Sequence, residues 1–121
     1  ALPRTPAVRA AEKGYPGIGT TTKGGPTHAG TDYLYPAGPG QQSVVRIKLT
    51  GSRRDDFELA NSEGKFTETP DNYVWHHLDD FNPQNGEATL ELIDKEAHKA
   101  TMPHTGSVAQ YEKYHGVRYK R

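Results

Sequence analysis

Four histidines constrain this chain more than anything else in it: Trp75-His76-His77, then His98, then His104-Thr105-Gly106. Five of the six histidines fall at or after position 76, His115 included. Histidine is the commonest side chain for binding a transition metal, and it titrates near neutral pH. A group spaced to return to one place points to a metal site with its own acid or base. The fold must then bring these positions together.

The chain has 121 residues, enough for one small domain, and its apolar content of 32% implies a thin core. A ligated metal would help such a domain hold together. Cysteine is absent, which excludes disulfides, thiolate zinc sites and cysteine nucleophiles. No stretch approaches the roughly 20 apolar residues of a membrane span, and no signal peptide is visible. The sequence begins Ala1-Leu2-Pro3 rather than with Met, so a piece from the C-terminal end of a longer protein is expected. The net charge of zero hides segregation. Eight basic residues against Glu12 and Asp32 give +6 over residues 1–54. Lys65 and Lys95 against twelve carboxylates give −10 over 55–96, and five basic residues against Glu112 give +4 over 97–121. A nucleic-acid partner would meet the ends of the chain rather than its middle, unless the charges are simply solvated surface.

Residues 14–40 hold eight of the thirteen glycines and four prolines, which is turn chemistry. Residues 1–42 therefore read as a linker or an irregular arm wrapped on the domain, with Tyr15, Tyr33, Leu34 and Tyr35 able to pin it down. Val45, Ile47 and Leu49 alternate with Arg46 and Lys48, predicting a half-buried strand over 43–49, ended by Gly51. Ser52 is placed to cap a helix from Arg53 to about Asn61, with Phe57, Ala60 and Leu59 as inward candidates. Tyr73 to Leu78 predicts a second strand. Asn85-Gly86 predicts a hairpin turn, and Ala88 to Ile93 the returning strand, with Leu90 and Leu92 opposite Thr89, Glu91 and Ile93. Asp94 is a suitable N-cap for a short helix over 95–101, which Pro103 stops at about Met102. A last helix is expected over 108–114, ended by Gly116.

Neighbouring side chains on a strand point to opposite faces, so His76 and His77 do not easily ligate one ion. A division of labour fits better, with one binding metal and the other working beside it as a general base. His98 and His104 would diverge by about 240° on a continuous helix. The break at Pro103 and the turn at Thr105-Gly106 let His104 fold back towards His98. Three neutral imidazoles suit zinc, nickel or manganese better than magnesium, and leave the open coordination position that a catalytic site keeps.

A His-His pair on the first strand of a hairpin, followed by a histidine-bearing helix, resembles the ββα-metal finger of HNH nucleases. The ordered set Trp75-His76-His77, Leu90-Glu91-Leu92-Ile93, His98 and His104-Thr105-Gly106 resembles the WHH subgroup of the HNH/endonuclease VII superfamily. Arg53-Arg54-Asp55-Asp56-Phe57-Glu58-Leu59-Ala60-Asn61 resembles the Arg/Asp-Phe/Ala-Asn element that this group tends to carry upstream. The resemblance spans about residues 50–107. It implies an α+β fold: a metal finger at about 73–106 within a nuclease domain over 43–121, with an added strand, short helices and the irregular arm.

It also implies a site. By analogy with the colicin-type nucleases, His76 is a metal ligand with His98 and His104, and His77 is the general base. Glu91 and Arg54 are expected to assist catalysis. Arg53, Lys99, Lys113 and Arg118 are expected to contact substrate. The sequence departs from the family at Glu91, where a polar amide is usual, and at Ser107, where a second glycine is usual, so what orients His77 stays open. The cofactor expected is a divalent ion, zinc foremost, then nickel or manganese, with magnesium less favoured. The family occurs typically as C-terminal toxin domains of bacterial polymorphic and contact-dependent systems. The expected partners are DNA, a cognate immunity protein and a parent toxin polypeptide upstream, and the expected place of action is the cytoplasm of a target cell. An RNase of the same fold and a non-catalytic metal-stapled binding module are the alternatives.

Other residues have plainer readings. His28 and His115 read as surface or satisfied core histidines, and Trp75 as packing beneath the hairpin. Asp55 and Asp56 read as charges at a helix N-terminus, with Asp56 able to orient a site residue. The aromatic and basic tail, Tyr111 to Arg121, reads as a single-strand-binding surface or a disordered end.

Overall fold

The computed structural model describes residues 4–121. Residues 1–3, including the start of the expected arm, lie outside the described residues. In chain order the elements are α1 (Pro6–Glu12), β1 (Gly19–Thr20), β2 (Pro26–Thr27), β3 (Val44–Lys48), α2 (Arg53–Gly64), β4 (Tyr73–His77), β5 (Glu87–Asp94), α3 (Lys95–Ala100) and α4 (Ser107–His115). The architecture is α+β, with an antiparallel β1-β2 pair and an antiparallel sheet of order β3-β5-β4. The hairpin β4-β5 followed by α3 is the unit expected for the metal finger.

Alternation on β3 buries Val45 and Ile47, and Leu49 just beyond, as the sequence predicts. They join Trp75, Leu90, Leu92, Ala60, Phe66 and Val108 in one core between the sheet and the helices. Register decides which histidine joins that core. β4 pairs with β5 so that Trp75 faces Leu92, His77 faces Leu90, and His76 faces Glu91. His77 therefore shares the core face, towards α2, and His76 the opposite face.

α2 begins on Ser52, whose hydroxyl accepts from the Asp55 amide. It runs three residues beyond the predicted end. Lys65, not a glycine, takes the left-handed cap, and the Phe66 amide closes on the Asn61 carbonyl at 2.8 Å. Gly64 is instead the last helical residue, because a Cβ there would lie 2.6 Å from the Gln42 carbonyl oxygen. Leu59 points outward, 40% exposed. The β4-β5 reversal is also longer than a two-residue turn. Asn82 bridges Glu87, Gly86 donates to the Asn82 carbonyl, and of Asn85-Gly86 only Gly86 has positive φ.

The arm is built into the molecule. Ala10 of α1 and Ile18 pack on Ala100 of α3. Leu34 bridges Ile93, and Tyr35 donates to the Leu92 carbonyl. Asp79, just after β4, accepts from the Thr21 hydroxyl and the Gly25 amide. Glu91 and Ile93 are consequently buried, although alternation alone predicts the polar side of a two-faced strand. The C-terminal segment is ordered too: Lys120 pairs with Ser52, and Tyr119 is buried.

Candidate active site

A cavity of about 390 Å³ opens at the edge strand β4 and is lined by both His76 and His77, with His98, His104, Phe57 and Arg53 among its walls. The edge position lets side chains from opposite faces of one strand border the same space.

On one side stand His76, His98 and His104, each offering a ring nitrogen within 4.8 Å of the other two. Their ring centroids are 5.0 to 5.4 Å apart. Three imidazoles sharing one tetrahedral ion at about 2.1 Å would place their centroids about 5 Å apart. The break at Pro103 does what the sequence predicts. α3 closes on Thr101, and residues 102–106 carry His104 back to His98. Gly106 makes that return possible, because a Cβ there would lie 2.7 Å from the His77 carbonyl oxygen, and the Ser107 amide donates to Leu78 alongside.

The donor chemistry fits a divalent ion. His76 Nε2 lies 3.1 Å from the Pro26 carbonyl, an acceptor only, so it carries the proton and Nδ1 keeps its lone pair. That buried Nδ1 and both ring nitrogens of His104 have no hydrogen-bond partner among the described residues. Burial, reinforced by the neighbouring imidazoles, holds His76 well below the usual histidine range, with the Pro26 contact opposing. Burial, then the imidazoles of His104, His28 and His77, lower His98 to about 4, and burial also lowers His104. All three are neutral at pH 7 and ready to ligate.

On the other side His77 is tied to α2. Its Nε2 donates to Asp56 Oδ2 at 2.9 Å, so Nδ1 is the ring nitrogen turned away from the carboxylate. Asp56 also accepts from the Tyr119 hydroxyl and from the Thr50 amide and hydroxyl. Burial alone would raise the Asp56 carboxyl, but these hydrogen bonds outweigh it and hold the group below its ordinary value. Tyr119 is pushed far above the usual phenol range by burial and then by Asp56, so it stays a donor. The Phe57 ring packs on His77 at 5.7 Å, and Asn61 accepts from the Trp75 indole at 2.8 Å. The upstream element is thus the mate of Trp75-His76-His77, residue against residue.

The remaining expected residues are placed unevenly. Arg53 lines the cavity, with its guanidinium 5.8 Å from the Tyr119 ring centroid. Arg54 points to solvent, ion-paired with Asp55, and does not line the cavity. Glu91 does not reach His77, because it stands opposite His76 on the other face, bonded to Thr27 and His28. Asp56 occupies the orienting position instead. Lys99 is exposed and paired with Glu96, and Arg118 is exposed away from the cavity. Lys113 borders a neighbouring cleft beyond Gly106. Sequence reasoning missed Tyr119 and His28. His28 is fully buried with its ring 5.3 Å from that of His76, and its only sequence signal is its residue type.

Residues 65–114 match the sequence model of the WHH family, described as a nuclease of the HNH/ENDO VII superfamily with conserved WHH. No curated protein and no solved structure matches the chain significantly.

Proposed function

We propose, from the premise that residues 65–114 belong to the WHH nucleases of the HNH/ENDO VII superfamily, that this chain is a metal-dependent DNA endonuclease acting as a delivered toxin domain. The family match supports a nuclease. The reading of its mechanism rests on one observation: adjacent histidines are sorted by β4 into a cluster of three imidazoles and an imidazole held by a carboxylate.

His76, His98 and His104 would hold the ion, and their all-imidazole set favours zinc, with nickel or manganese next. An ion bound there supplies Lewis-acid stabilisation of phosphate charge. His77 Nδ1 accepts a proton from water as the water oxygen bonds to phosphorus. The bond to the 3′ oxygen then breaks, and that oxygen takes a proton from solvent. Asp56 remains ionised, fixes the His77 tautomer and stabilises the imidazolium that forms. Arg53 is positioned to meet a phosphate oxygen at the cavity mouth. His77 lies outside the ligand group, which favours catalysis over a metal-stapled binding module.

The choice of DNA, the toxin role, an immunity protein and a parent polypeptide upstream all rest on the resemblance to toxin domains. The acidic stretch 55–96 offers an immunity protein a surface for a basic patch. The test is to strip the protein of metal, restore Zn²⁺, Ni²⁺, Mn²⁺ or Mg²⁺ in turn, and incubate with plasmid DNA and with RNA. Metal-restored cleavage of plasmid is expected. Cleavage of RNA alone would replace the DNA reading, and tight metal binding without cleavage of either would establish the binding module.

A further inference from the structure

Glu91 is a fully buried carboxylate that neither the base nor the three-imidazole group uses. Burying such a charge costs heavily unless hydrogen bonds satisfy it. Here three do, all from two consecutive residues of the arm. Oε1 accepts from the His28 amide at 2.9 Å and faces His28 Nδ1 at 3.3 Å, and Oε2 accepts from the Thr27 hydroxyl at 2.8 Å. The residue just before them, Pro26, supplies the carbonyl that takes the His76 Nε2 proton. The His28 ring meets His76 edge-on.

We infer that Glu91 is a positioning residue for the metal site, clamping the Pro26-Thr27-His28 segment so that the Pro26 carbonyl holds His76 with Nδ1 turned to the ion. The inference rests on the metal-site reading above. It makes the arm, which lies outside the matched family segment, a structural part of the metal centre. An outer partner that fixes a ligand imidazole sets its tautomer and its basicity. His28, His76 and Glu91 also lie close enough to be considered as a cation site of their own. Their hydrogen bonds argue otherwise: both Glu91 oxygens are engaged by the arm, and His76 Nε2 is engaged with Pro26.

The test compares wild type, Glu91→Ala, Glu91→Gln and the double variant Thr27→Val, His28→Ala by two readouts that need no cleavage. One is the His76 tautomer in metal-free protein, by nitrogen-15 NMR. The other is the affinity and stoichiometry of zinc, by competition with a chromogenic chelator. Wild type is expected to show a single Nε2–H tautomer and one zinc. Glu91→Ala is expected to mix the tautomers and weaken zinc about 10- to 100-fold. Glu91→Gln, which can still accept from His28 and face Thr27, should retain most of both. Should Glu91→Ala not fold, the double variant Thr27→Val, His28→Ala decides, because it removes both side-chain partners of Glu91, with a mixed tautomer and about tenfold weaker zinc expected. A folded Glu91→Ala, or the double variant in its place, with unchanged tautomer and affinity would overturn the inference. So would a second zinc in wild type that Glu91→Ala loses. A wild type that binds no zinc would remove the metal reading, while the tautomer would still test the clamp.

Discussion

His76 and His77 are neighbours of the same residue type, yet the two faces of β4 surround them differently. His76 is hemmed in by imidazoles, with a carbonyl behind one ring nitrogen and nothing on the other. His77 meets a carboxylate that itself accepts from Tyr119 and Thr50. The first setting suits a metal ligand, and the second a general base held in one tautomer. The alternation of a strand, together with one hairpin register, is enough to separate the roles.

Substitutions around the pair test how independent the two faces are. The largest expected effect is on Asp56→Ala, which removes the orienting carboxylate. Cleavage should fall about 100-fold, while zinc affinity, measured by chelator competition, stays within about twofold. A parallel loss of zinc would mean that the faces are coupled. Gly106→Ala probes the seam between them. Its Cβ would press on the His77 carbonyl and displace the return of His104, costing about 1–3 kcal/mol of stability by denaturant unfolding and weakening zinc binding.

Acid should act on the ligand face of the metal-free protein. Folded His98 titrates at about 4, against 6.5 for an ordinary histidine. Between those values the unfolded chain binds more protons than the folded one, so stability falls as pH drops from about 6.5 to about 4. A thermal midpoint that stays flat or rises across that window would contradict the burial assigned to these rings. Asp56, lowered in the folded state, contributes stability above the ordinary carboxylate value and loses it below. The smallest effect is expected for Arg54→Ala, exposed and paired only with Asp55: within about 0.5 kcal/mol in stability and no resolvable change in cleavage.

How much of this was legible depended on periodicity. β3, β4, β5 and the helix caps at Ser52 and Asp94 follow from alternation and cap chemistry, and the histidine group followed from spacing plus the break at Pro103. The arm was not legible, because β1 and β2 are two residues each and carry no period. Their pairing is stabilised by Asp79 and Glu91, far along the chain. Glu91 is expected from the sequence to assist catalysis, but in the β4-β5 register it faces His76 and is bonded by the arm. Tyr119 was hidden in a basic tail whose ordering comes from a bridge to Ser52.

The most direct measurement pairs His76→Ala with His77→Ala and records zinc affinity and plasmid cleavage on the same samples. The account predicts that His77→Ala binds zinc as wild type does and cleaves at least about 100-fold more slowly, whereas His76→Ala loses zinc affinity by at least about tenfold. Loss of zinc binding in His77→Ala, or wild-type affinity in His76→Ala, would contradict the division of roles across β4.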